Sequence, residues 1–248
     1  MNAIEIKNLT LKIKNKVVID NININFSKGN IQTVLGPNSS YKTLLFNAIK
    51  KNKKGITING NCTFISNDIN SQVVGKTVKD QLLFFMRLNN YTDRKMNSRL
   101  KKVIDLFGVN DILNEDPFDI SYGYRQLVVV LSLLMLDKDI FIIDDAFNML
   151  DNINREKMFN YIKSKKKTTF IHFTNNSENI LYGTNTIIFN RKVIKKDKTN
   201  KIITNEKLFL NNNLSLPFMA DLSNKLKYYN LLDKVIIDQK EMVDELWN

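Results

Sequence analysis

Residues 36–43, G-P-N-S-S-Y-K-T, carry most of what a chain needs to hold a phosphate. Their spacing is that of G-x-x-x-x-G-K-[ST]. In that loop successive backbone N–H groups wrap a phosphate, the lysine reaches the outer phosphates, and the last hydroxyl ligates Mg²⁺. Gly36, Lys42 and Thr43 fall on the pattern, but Tyr41 stands where the glycine before the lysine is usual. A second piece is "FIIDDAF" (141–147). An apolar strand ending at Asp144 sets a carboxylate at its tip, where a metal ligand is needed, and Asp145 follows where a carboxylate would polarise water. The third piece is "ISYGYRQ" (120–126), a short polar turn opening an apolar helix. The fourth is "TTFIHFTNN" (168–176), a strand ending in polar residues.

The elements around these pieces are the ones they require. "IEIKNLTLKI" and "VVIDNININF" alternate apolar and polar residues, which predicts strands. "NIQTVLG" is a more continuous apolar strand running into the loop, and "KTLLFNAIK" has helical spacing. The loop therefore lies between a strand and a helix, the context phosphate binding needs. Short strands are expected in "GITINGNCTFIS" and helices from Thr77 to Phe107. "TTFIHFT" and "NTIIFNRKVI" read as two further strands. Strands alternating with helices after Gly29 predict an α/β fold with a parallel sheet. The tail from Leu208 reads as two helices around a short strand, with Phe218, Leu222 and Leu226 on one face and Leu231 continuing the pattern.

Composition removes several alternatives. The chain has 248 residues, 43% of them hydrophobic, enough for one sizeable core. The longest apolar run, "LVVVLSLLML" (127–136), falls short of the ~18 residues of a membrane span and fits a buried helix. The N-terminus has no signal-peptide or transit-peptide character. One cysteine, Cys62, makes no disulfide framework, and one histidine, His172, argues against a histidine-built zinc site. The net charge of +12 is scattered in short pieces such as "KKNKK" (50–54) and "KSKKK" (163–167), without the interleaved aromatics of a base-stacking platform. Lys, Asn and Ile are abundant and only 8 glycines remain, as expected of drift in an AT-rich genome.

The four pieces, in this order, resemble those of ATP-binding cassette ATPases. The signature L-S-G-G-Q of that family appears as Ile120-Ser121-Tyr122-Gly123-Tyr124, its strand-tip D-E as Asp144-Asp145, and its D-loop as Met149-Leu150-Asp151. More narrowly, "SQVVGKTV" (71–78), "AFNMLDNINR" (146–155) and "LPFMADLSNKLK" (216–227) resemble the ATPase subunits of energy-coupling factor transporters. The resemblance implies an α/β, ABC-type P-loop nucleotide-binding domain over residues 1–207, with an N-terminal antiparallel β subdomain and a helical subdomain near 77–130. A small C-terminal extension, 208–248, is a candidate dimerisation element. It implies ATP and Mg²⁺ as cofactors. Gly36, Pro37, Asn38, Ser39, Ser40, Tyr41, Lys42 and Thr43 would bind the nucleotide, and Thr43 and Asp144 the metal. Ser121 and Gly123 would face the γ-phosphate held by a partner subunit. The partners implied are a second ABC ATPase subunit, a transmembrane coupling protein and a substrate-binding membrane protein, with no nucleic acid. The place implied is the cytoplasmic face of the membrane.

Departures from the family pattern cluster at the chemistry. Ser39 and Tyr41 replace loop glycines, and Ile13 stands where a base-stacking aromatic is usual. Asn67 takes the Q-loop glutamine's place. Asp145 replaces the glutamate, and Asn175 aligns with the switch histidine, with His172 three residues earlier reading as an ordinary strand side chain. Ser121 and Gly123 are intact. The expectation is an ATP-binding subunit of a membrane importer that hydrolyses slowly at its own site, the impaired member of a heterodimer. The alternatives are an inactive structural pseudo-ATPase and a soluble ABC ATPase acting on nucleic acid or the ribosome.

Overall fold

The computed structural model describes residues 1–247. The chain divides into two compact units: Met1–Ile4, Phe26–Gly29 and Ile58–His172 make the first, and Glu5–Asn25, Asn30–Thr57 and the chain from Phe173 onward make the second.

Most of the second unit's N-terminal part is a hairpin. Strands β1 (Asn2–Ile13) and β2 (Lys16–Ser27) are joined by Lys14 and Asn15 alone, both at positive φ (45° and 64°). A two-residue connection of this kind matches the strands' own twist and makes the pair antiparallel. Leu9 and Leu11 on β1, and Ile22, Ile24 and Phe26 on β2, are buried while their neighbours in sequence are not, the period of two of a one-sided sheet. Strand β4 (Ile56–Ile58) completes a sheet of order β2-β1-β4. The same unit holds β3 (Ile31–Leu35) and α1 (Lys42–Lys50). Strand β8 (Asn185–Phe189) runs parallel to β3 with Leu35 opposite Ile188, and β9 (Val193–Lys198) runs antiparallel to β8.

The first unit contains β5 (Cys62–Ile65) and β6 (Ile140–Asp144), parallel with Phe64 opposite Ile142. Strand β7 (Thr169–Thr174) follows in the order β5-β6-β7, its last two residues belonging to the second unit. Helix α2 (Val78–Leu88) is capped by Thr77, whose hydroxyl accepts from Asp80 N–H, and α3 (Asp93–Phe107) ends at left-handed Gly108. In α4 (Tyr122–Leu134) every residue from Gln126 onward is buried, which is what the apolar run predicted. Helix α5 (Asn152–Ser164) follows.

Two segments differ from the sequence reading. "NTIIFNRKVI" is not one strand: the chain turns at residues 190–192, with Arg191 at φ 63°, and returns as β9. An antiparallel hairpin therefore ends an otherwise parallel run. The tail has no strand between its last helices. It contains α6 (Thr199–Ile202), α7 (Glu206–Leu210), α8 (Phe218–Tyr228) and α9 (Gln239–Trp247), with an irregular segment before α9. Phe209, Leu214 and Ala220 share a core with Leu35 and Ile188, so the tail begins inside the second unit's own interior. Leu222 and Leu226 pack against Leu232, Ile236 and Met242. They do not form an open face with Phe218, which is exposed.

The shortage of glycine has a structural counterpart. Asn8, Asn15, Asn21, Asn52, Asn90, Asn213 and Asn230 all sit at positive φ. Asparagine tolerates that region better than other non-glycine residues, because its short amide can bond locally. Tyr41, Asp145, Arg191 and Lys14 are the exceptions.

Candidate nucleotide-binding site

The phosphate loop begins where β3 ends. Gly36 N–H donates to Thr174 O at 3.1 Å. A Cβ on Gly36 would stand 2.2 Å from Phe189 O and 2.8 Å from Ser40 Oγ, so no side chain fits there. Pro37 is extended, Asn38–Ser40 form a 3-10 turn, and Ser40 N–H donates to Pro37 O at 3.0 Å. Tyr41 then takes φ 63°, ψ 25°, and α1 begins at Lys42. Its first helical bond here is Leu45 N–H to Tyr41 O, 3.1 Å.

The loop thus keeps its left-handed step before the lysine although glycine is gone. Such a conformation costs a non-glycine residue about 1–2 kcal/mol. Ser39, the other substituted glycine position, carries no such strain, because it lies in the right-handed turn. This backbone fits a phosphate group. A close-approach glycine and a turn lead into a helix N-terminus whose amides and dipole favour an anion. Lys42 is 3% exposed, and the Thr43 hydroxyl sits on an exposed residue of the first turn. Among the described residues there is no cluster of three or more His, Cys, Asp or Glu able to hold a metal by itself. Thr43, in the same unit as the loop, offers one hydroxyl oxygen, in keeping with Mg²⁺ bound chiefly through phosphates and water.

Asn175, directly after β7, belongs to the same unit as the loop. Its side-chain amide donates to Asn38 Oδ1 at 2.6 Å. The residue aligned with the switch histidine is therefore bonded to the phosphate loop.

The remaining predicted residues lie in the first unit. Asp144 ends β6 with its side chain fully buried, and Asp145 follows, half-buried, at φ 48°. Ser121 caps α4 by accepting from Tyr124 N–H at 3.4 Å. Gly123 is packed against the D-loop: a Cβ there would come within 2.9 Å of Met149 O. Gln126, one turn into α4 and buried, accepts from Met149 N–H at 2.9 Å. Ser121, Gly123, Tyr124 and residues 149–151 thereby line a pocket of about 260 Å³. Asp151 accepts from Asn154 N–H at 2.8 Å, and that bond lowers its carboxyl pKa while it caps α5. Arg125 fastens the preceding turn, donating to Pro117 O (2.7 Å) and Phe118 O (2.8 Å) with its guanidinium over the Phe118 ring.

His172 is not part of this chemistry. It is buried between Phe147 and Phe159, ring centroids 4.8 and 5.9 Å away, and neither ring nitrogen has a hydrogen-bond partner among the described residues. Burial pushes its pKa down to about 4, against a smaller upward pull from Asp145.

Sequence reasoning assigned no role to Gln126 or Gln81. Gln81 is buried in α2, accepts from Val74 and Gly75 N–H (2.8 and 3.0 Å), and donates to Gln72 O (3.2 Å) and Ser132 Oγ (3.3 Å). The signal for both was a glutamine at an apolar position of a helix, where an amide must find partners.

A phosphate loop between a strand and a helix, with a separate serine–glycine turn opening a buried helix against a D-loop, defines a nucleotide-binding domain of the cassette class. The family described as ABC transporter matches residues 19–148, and the chain belongs to it. Among curated relatives, it is 27% identical over 253 residues to the energy-coupling factor transporter ATP-binding protein EcfA1 of Mesomycoplasma hyopneumoniae, covering 94% of this chain and 92% of that one. It is 32% identical over 175 residues to the zinc import ATP-binding protein ZnuC of a Wolbachia species, covering 68% and 71%. Solved structures share the fold. An ATP-binding subunit of an ABC transporter superposes with TM-score 0.73 at 18% identity, covering 91% of this chain and 99% of that one. CbiO1 of Clostridium perfringens gives 0.71 at 16%, covering 90% and 99%. No helix among the described residues is long and apolar enough to cross a membrane.

Proposed function

We propose that this chain is the ATP-binding, energy-coupling subunit of a membrane importer, and the impaired member of an ATPase heterodimer. The observation that carries the nucleotide reading is the backbone at Tyr41. It holds the left-handed step before Lys42 that a phosphate loop requires, in spite of its residue type. The similarity to energy-coupling factor subunits over nearly the whole chain supports the importer role and the partners: a second cassette subunit, a transmembrane coupling protein and a substrate-binding membrane protein.

MgATP, when bound, supplies a γ-phosphoryl group for transfer to water. Lys42 would place a cation beside it, the loop and first-turn amides would bind the phosphates, and Thr43 would offer an oxygen ligand to the metal, the role the family resemblance also assigns to Asp144. Asp145 and Asn175 are the positions that would orient water and sense the γ-phosphate, and both are altered. Ser121 and Gly123 are intact, and the packing of Gly123 on Met149 supports their turn. In this reading the chain's main catalytic contribution is to the partner's ATP. A hydroxyl and close backbone at a γ-phosphate stabilise charge that develops in the transition state, and losing one such donor costs on the order of 10²–10³-fold.

The test is steady-state phosphate release by the assembled complex with an intact partner subunit. Ser121→Ala should cripple turnover, and Lys42→Ala in this chain should matter much less. The reverse pattern would make this chain's own site the working one and sink the proposal.

A further inference from the structure

The β8–β9 turn carries a cation that the nucleotide reading has not used. Asn190 N–H donates to Lys192 O at 3.0 Å, which closes the turn, and Arg191 at its tip takes φ 63°. This turn lies close against the phosphate loop at Gly36 and is bonded to it at Ser40. Phe189 O, just before the turn, occupies the space a Cβ on Gly36 would need. Arg191 N–H donates to Ser40 O at 3.1 Å. The pairing of β8 with β9 shifts register between Ile188 and Phe189, the irregularity that aims the turn.

The Arg191 side chain continues the contact. Its guanidinium carbon lies 5.4 Å from the centroid of the Tyr41 ring. The left-handed backbone at Tyr41 sets the direction of that ring, so the residue that replaced the loop glycine also provides the platform for the arginine. A cation–π contact of this kind is made through the charge over the ring rather than by hydrogen bonds from the N–H groups. Arg191 is exposed and makes no ion pair with a carboxylate among the described residues. A planar fork with spare donors, held next to the residue preceding Lys42, matches the geometry of a phosphate group.

We propose that Arg191 is a phosphate-binding residue of this nucleotide site, positioned by the Tyr41 ring and supplied from the β8–β9 turn. The inference rests on the nucleotide reading above. The arginine compensates the substituted loop by adding a second cation beside the one at Lys42.

Calorimetric titration of the full-length chain with MgATP, at several salt concentrations, tests this. Arg191→Ala should weaken binding by about tenfold, as expected for loss of a charge-assisted contact. It should also flatten the dependence of affinity on salt. Arg191→Gln, which keeps a planar amide over the ring without the charge, should lose as much, and it carries the test should the alanine variant fail to fold. A phosphate contact loses affinity with a flatter salt dependence, whereas a mere clamp on the Tyr41 ring loses affinity while keeping the parent's salt dependence. Affinity within twofold of the parent, or a loss with unchanged salt dependence, overturns the proposal. If the parent chain binds no MgATP at all, the nucleotide reading itself fails first and the inference falls with it.

Discussion

The side-chain amide of Asn175 donates to Asn38 Oδ1 across 2.6 Å, bonding the end of β7 to the tip of the phosphate loop. An asparagine spent in this way cannot do an imidazole's work. Asp145 is shortened by one methylene relative to glutamate, which withdraws its carboxylate by roughly 1 Å, a displacement that can cost on the order of 10²-fold in rate. The expected result is that Asn175→His combined with Asp145→Glu raises phosphate release by this chain on the order of 10²-fold, with either change alone giving much less. Single-turnover phosphate release measures it. A double variant no faster than the parent would remove both positions from the chemistry.

The two altered loop positions should respond in opposite ways. Tyr41 is left-handed, so Tyr41→Gly relieves strain. A gain of about 1 kcal/mol is expected, or roughly 2–4 °C in melting temperature. Ser39 lies in a right-handed turn, where glycine only adds freedom to the unfolded chain. Ser39→Gly should lose about 0.5–1 kcal/mol. Thermal melts of the two variants without nucleotide distinguish them, and two changes of the same sign would contradict the backbone described.

His172 should make the protein acid-sensitive. Its folded pKa of about 4 lies below the ordinary histidine value, so the unfolded chain takes up the proton first. The stability from this group is whole above the unfolded pKa, about 6.5, and is lost as pH falls toward 4. Linkage puts the loss at about 3 kcal/mol. Replacing the imidazole with an apolar group, His172→Leu, should flatten the urea-denaturation stability profile across that window and leave neutral-pH stability unchanged or higher. A variant profile parallel to that of the parent would mean His172 does not titrate on unfolding.

Much of the local backbone at the candidate site residues was legible in the chain before its structure. The loop, the strand tip at Asp144 and the turn at Ser121 are short-range patterns in which residue type and spacing reflect local backbone geometry. What escaped was set by contacts between distant segments. The sign of the strain at Ser39 and Tyr41 depends on a 3-10 turn that spacing does not reveal. The Asn175–Asn38 bond spans 137 residues of sequence. The β8–β9 turn was missed because Asn190 and Arg191 are not the usual turn pair, and a left-handed arginine makes sense only with Ser40 and Tyr41 beside it. In the tail, the apolar spacing of Leu222 and Leu226 was real, but periodicity identifies a face that must be covered without saying by what. The chain's own residues Leu232, Ile236 and Met242 cover it.

Gln81 bears on how force would pass through the first unit. A single buried amide ties Gln72, Val74 and Gly75 to the body of α2 and, through Ser132, to α4. The segment after β5 therefore has little slack. A push on it cannot be absorbed by local bending without breaking several shielded hydrogen bonds at once. It is handed to α4, a stiff rod. From Ser132 to Ser121 that rod spans roughly 16 Å at 1.5 Å per residue. Residues 72–75 and the serine–glycine turn are thus joined through α4 by a chain of hydrogen bonds centred on one buried amide.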